Sequence, residues 1–102
     1  FDLRGWNSGD KEARYTEFLG LIWRNCKDFL VRVLFANHIK FLNCGAYDVA
    51  GEGYLHDGFR TTYSNHILFQ DCFSYGNANY NFIAGKYADK IIFRRCIARH
   101  DR

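Results

Sequence analysis

A chain of 102 residues has room for one domain with one modest core, which excludes a multidomain reading. A hydrophobic content of 48% and an aromatic content of 19% exclude a disordered segment. The balance of 14 Lys and Arg against 11 Asp and Glu, a net charge of +3, is too mild for a dedicated nucleic-acid binder. The longest apolar runs, residues 29–31 and 33–36, fall far short of the ~20 residues of a membrane span, and no signal peptide is visible. The chain has no Met, and both Phe1 and Arg102 lie in patterned sequence, so a fragment of a longer chain is expected.

The opening residues, with Gly5, Asn7, Ser8, Gly9 and Asp10, read as an irregular N-terminal segment or edge loop over residues 1–16. From there the four cysteines mark a repeat. Cys26, Cys44, Cys72 and Cys96 have none of the close-spaced pairs of a zinc site, but they share an upstream context. Residues 21–26 (LIWRNC), 39–44 (IKFLNC), 67–72 (ILFQDC) and 91–96 (IIFRRC) each run aliphatic, variable, aromatic, variable, polar, Cys. Alternation predicts a strand with Trp23, Phe41, Phe69 and Phe93 facing inward and Arg24, Leu42, Gln70 and Arg94 facing out. The polar residue before each Cys, namely Asn25, Asn43, Asp71 or Arg95, then marks a bend at which the side chain bonds nearby backbone. Further turn-type pairs, Asn37-His38, Asn65-His66 and Asp89-Lys90, open the later strands. A second apolar strand fills each interval, over residues 29–35, 59–63 and 82–87. Repeats of this length, built of short strands with loops of varying size, predict a β-solenoid.

The pattern N-H-I-x-F-x-[ND]-C, followed by a Gly- and Asn-rich turn, resembles the right-handed parallel β-helix of the pectate-lyase-like superfamily over residues 17–102. The resemblance implies an all-β fold of about four coils, part of a longer helix, with the cysteines stacked as a buried, reduced ladder and His38 above His66. Members of that superfamily act on or bind polysaccharides outside the cell, or serve as rigid spacers. The resemblance therefore implies a secreted or cell-surface protein that binds or cleaves an anionic polysaccharide. The alternative is a non-catalytic structural solenoid of a phage spike, adhesin or extracellular assembly. Further coils of the same chain, or stacked subunits, are the expected partners, with no nucleic acid and no membrane span.

The longest interval, residues 45–60, is the densest polar constellation in the chain. Glu52 and Asp57 are the candidate acid and base for glycosidic cleavage, with His56 and Arg60 beside them to meet a uronate carboxylate. Asp48, Tyr54 and, from the neighbouring coil, Lys86 are the candidate substrate-binding residues. The cofactor is open: Ca²⁺ fits a lyase, and two histidines without a carboxylate column make no metal site.

Overall fold

The computed structural model describes residues 1–4, 13–24, 30–47, 57–76 and 80–99. Among them are twelve strands and no helix: β1 (Asp2–Arg4), β2 (Ala13–Leu19), β3 (Ile22–Arg24), β4 (Val31–Leu34), β5 (Ala36–Leu42), β6 (Gly45–Tyr47), β7 (Phe59–Thr62), β8 (Asn65–Gln70), β9 (Phe73–Tyr75), β10 (Phe82–Ala84), β11 (Asp89–Arg94) and β12 (Ile97–Arg99). They form three four-stranded sheets in the orders β1-β4-β7-β10, β2-β5-β8-β11 and β3-β6-β9-β12, and all nine pairings are parallel. Each pass of the chain thus adds one strand to each sheet in rotation. Among the described residues no pair of motif strands forms an antiparallel hairpin, and no helix is long and apolar enough to cross a membrane.

Why these residues pair so follows from the inward columns. In the second sheet Ile39 and Ile67 face Ile91, and Phe41 and Phe69 face Phe93, all in register. The phenylalanine rings stack at 5.0, 4.9 and 5.2 Å between centroids from Phe18 through Phe41 and Phe69 to Phe93. Val31, Val33 and Phe59 close the core from the first sheet, and Ala46 from the third. One apolar cluster therefore serves all three sheets, and a one-residue slip of any strand would turn its aromatic out.

The first pass differs from the sequence reading. Phe18, not Trp23, occupies the phenylalanine column, because β2 pairs with β5 in the register Phe18↔Phe41. Trp23 lies in β3, opposite Ala46 of the third sheet, and reaches Phe41 and Phe59 edge-on from there. The phenylalanine position recurs after 23, 28 and 24 residues. Leu19, not Arg24, heads the outward column of Leu42, Gln70 and Arg94. Continuity of register places Leu21 in the cysteine column. The physical reason is Gly20, whose φ of +70° supplies the bend that Asn43, Asp71 and Arg95 supply later. Residues 2–4 and 13–16, expected to be irregular, are strands for the same cause: their partners in β4 and β5 continue the ladder. The interval strands are shorter than expected: β4 and β7 end at Leu34 and Thr62, where Phe35 and Tyr63 take positive φ, and β10 ends at Ala84, ahead of a turn closed by the Ala88 N–H on the Gly85 carbonyl.

The bends are made by the backbone. Asn43, Asp71 and Arg95 have φ of 56°, 54° and 51°, a left-handed geometry that Asn and Asp tolerate better than most residues. Two of the N–H groups freed there donate to the following pass, Asn43 to the Gln70 carbonyl and Asp71 to the Arg94 carbonyl. Arg95, the residue that breaks the Asn/Asp pattern, is tied by its guanidinium to both oxygens of Asp71 at 2.7 and 3.0 Å. That pair holds the Asp71 carboxyl below its usual range.

The cysteines beyond the bends are free thiols, with Cys44 and Cys72 buried and Cys96 half-buried; Cys26 lies outside the described residues. Each thiol donates to the carbonyl of the phenylalanine one pass earlier: Cys44 to Phe18, Cys72 to Phe41 and Cys96 to Phe69, at 3.3 to 3.5 Å. Burial pushes the Cys72 thiol up to about 12. Well below pH 9 the thiol is neutral in folded and unfolded chains alike. As pH rises from about 9 toward 12 the unfolded chain ionises first, so Cys72 contributes a loss of stability over that window. At pH 8 Cys72 is expected to react with a thiol reagent far more slowly than in the denatured chain; equal rates would contradict its place in the core.

Thr61 is fully buried between Val33 and Ala84, and its Oγ1 has no hydrogen-bond partner. Thr61→Val removes that unsatisfied hydroxyl at nearly constant shape, so thermal or denaturant unfolding is expected to show a gain of about 1 kcal/mol. A loss would mean that the hydroxyl has a partner.

Candidate functional site

Alternation in β4 and β7 builds the site. With Val31, Val33, Phe59 and Thr61 buried, Arg32 and Arg60 fall on the outer face of the first sheet, in direct register. Like charges so placed repel, and a carboxylate offsets part of the cost. Asp57 is fully buried just before β7 and accepts from Arg60 Nη1 at 2.8 Å through Oδ2, while its Oδ1 accepts the Tyr80 N–H at 3.1 Å. Its carbonyl accepts the Leu30 N–H at 3.0 Å, and the next residue, Gly58, donates to the Tyr80 carbonyl at 2.8 Å. Asp57 thus joins three passes and fixes the angle at which Arg60 leaves the sheet.

The sequence candidates separate on this geometry. Asp57 and Arg60 meet, with the carboxylate occupied as a buried anchor on both oxygens and the guanidinium one-quarter exposed. Lys86 lies exposed beyond the end of β10, with its ammonium over the Tyr87 ring at 5.4 Å. Its carbonyl accepts the Tyr63 N–H, so it sits at the corner that follows β7 and β10, at the opposite end of these strands from Asp57. Asp48, Glu52, Tyr54 and His56 lie outside the described residues. Arg32 was missed. The signal for it was the Val31-Arg32-Val33 alternation, which leaves a lone cation outward on an apolar strand.

The other outer faces are distinct in character. On the second sheet His38 stacks on His66 at 4.5 Å, with Tyr15 above at 4.8 Å. On the third sheet Tyr47 stacks on Tyr75 at 4.9 Å, and Arg24 donates to the Tyr47 hydroxyl at 3.1 Å. There the Phe73 ring lies over Gly45, where any Cβ would meet it. Among the described residues no three His, Cys, Asp or Glu side chains converge so as to hold a metal.

No family model, curated protein or solved structure matches this chain.

Proposed function

We propose that the chain is a stretch of right-handed parallel β-helix of the pectate-lyase-like kind, secreted or displayed at the cell surface, which binds an anionic polysaccharide along the outer face of its first sheet. Three parallel sheets filled in rotation around one core support the helix reading. The functional reading is carried by one observation: Arg32 and Arg60 stand in register one pass apart, and a buried carboxylate orients the second. Parallel strands lie ~4.8 Å apart, so the two guanidinium groups form a short cationic track along the direction in which the sheet grows. A guanidinium suits bidentate contact with a carboxylate, and a polymer of uronates offers one per residue. If the polymer is cleaved, Glu52 and His56 are the candidate acid and base, since Asp57 already has both oxygens engaged.

The test is binding of polygalacturonate and of a neutral glucan to wild type and Arg32→Ala. The expected result is salt-sensitive binding of the acidic polymer alone, weakened about tenfold by the substitution, or roughly 1.4 kcal/mol. Equal binding of the neutral glucan, or an unaffected Arg32→Ala, would overturn the reading. No binding by wild type would favour the structural solenoid.

A further inference from the structure

The outer face of the second sheet holds a half-open groove of about 750 Å³ that the polysaccharide reading leaves unused. Its wall is a column of residues in left-handed backbone, Tyr15, His38, His66 and Lys90, with φ of 52° to 56°. Positive φ in four non-glycine residues is costly, and the repeated geometry turns these side chains out of the sheet as one wall. Tyr15, His38 and His66 form a continuous ring stack, the two imidazoles only 6° from parallel. Each imidazole Nδ1 donates to the neighbouring asparagine Oδ1, His38 to Asn37 at 2.8 Å and His66 to Asn65 at 2.7 Å. The neutral ring is thereby left with Nε2 as its acceptor, the same in both passes.

The floor is the outward column next to that wall, where Lys40, Leu68 and Ile92 follow one another in register. Leu68 and Ile92 make its centre apolar, and Ile92 is 47% exposed. Lys40 stands above Leu68, and Lys90 stands two residues before Ile92 on the same strand. Glu17, in register with Lys40, closes the far end with the opposite charge. Asp89 lies 3.5 Å from the Lys90 ammonium, with both groups exposed, so that pair is weak. The groove therefore has an apolar floor, a wall of ring edges and an ammonium toward each end: Lys90 at one, and Lys40 at the other with the opposite charge of Glu17 beside it.

We propose that this groove is a binding site for a planar aromatic carboxylate. The ring system covers Leu68 and Ile92, and the carboxylate meets the Lys90 ammonium, away from Glu17. The volume is that of a small-molecule site, and the apolar centre disfavours a hydrated glycan, whose hydroxyls would lose water there without gaining partners. Glu17 repels a carboxylate at the Lys40 end, so the groove favours an anion with one charged end held at Lys90 over a neutral arene or a polymer charged along its length. The site is on a different sheet from Arg32 and Arg60 and stands or falls independently of the polysaccharide reading.

The experiment is a titration of the folded protein with 2-naphthoate, followed by the NMR signals of the His38 and His66 imidazole Cε1–H groups, with 2-naphthamide as the neutral isostere and trigalacturonate as competitor. Saturable shifts at both histidines are expected. The dissociation constant should rise about tenfold or more in Lys90→Ala and in Leu68→Glu, a substitution at a half-exposed position that leaves the core untouched. Arg32→Ala should leave it unchanged. If Lys90→Ala loses the native spectrum, Leu68→Glu alone carries the comparison. The absence of saturable shifts, equal affinity for the amide, indifference to Leu68→Glu, or displacement by trigalacturonate would each overturn the proposal.

Discussion

Asp57→Ala is expected to lower stability by about 2 to 3 kcal/mol in chemical unfolding, the largest loss for any single polar side chain in the described residues. The substitution deprives the Arg60 guanidinium of its carboxylate and the Tyr80 N–H of its acceptor. A fully buried ion pair broken on one side costs more, but Arg60 is one-quarter exposed and recovers part of its solvation, which sets the lower figure. Asp57→Asn keeps an oxygen for Tyr80 and loses the charge, so it should cost about half as much. The pair of variants separates anchor from catalyst. If Asp57 served only as an acid or base, both substitutions would abolish turnover and leave the unfolding midpoint in place.

That result bears on how the sequence announces function. Asp57-Gly58 reads equally well as a turn and as half of a carboxylate pair, since a one-dimensional pattern does not tell whether a carboxylate faces solvent or a neighbouring N–H. The distinction arises only when Tyr80, 23 residues later, is brought against it. Arg32 was legible for the opposite reason: its orientation follows from Val31 and Val33 alone. The groove on the second sheet lay between these cases. His38 and His66 were visible as a stacked column, but Lys40, Leu68 and Ile92 differ in type, so nothing in their sequence marks them as one floor.

The same logic explains the misplaced first pass. Residues 21–26 match the repeat class for class, with an aromatic and a cysteine at the right offsets, while residues 16–21 end on Gly20-Leu21. Pattern favours the first and backbone geometry the second. Gly20 adopts the left-handed bend at little cost, and Leu21, half exposed, stands at the head of the column that cysteines occupy below. A side-chain motif was thus a weaker guide to register than the one residue able to make the turn without strain.

Phe41→Ala is expected to be the most destabilising substitution of an apolar residue, at about 3 to 5 kcal/mol, which for a domain of this size can abolish the folded state. Phe41 is completely buried and touches rings from all three sheets: Phe18 and Phe69 of its own ladder, Phe59 of the first sheet and Trp23 of the third. Removing it leaves a void bounded by rings that are each fixed by other neighbours, so collapse is limited and the cavity persists. Trp23→Ala should cost less, because Trp23 is only half-buried and lies outside the phenylalanine column. Phe41→Leu, which keeps most of the volume, should recover more than half of the loss. The comparison of Trp23→Ala with Phe41→Ala by urea unfolding tests the register itself. In a fold where Trp23 headed the phenylalanine column, Phe18→Ala would be nearly silent and Trp23→Ala severe; with Phe18 stacked on Phe41 at 5.0 Å, Phe18→Ala should be clearly destabilising as well.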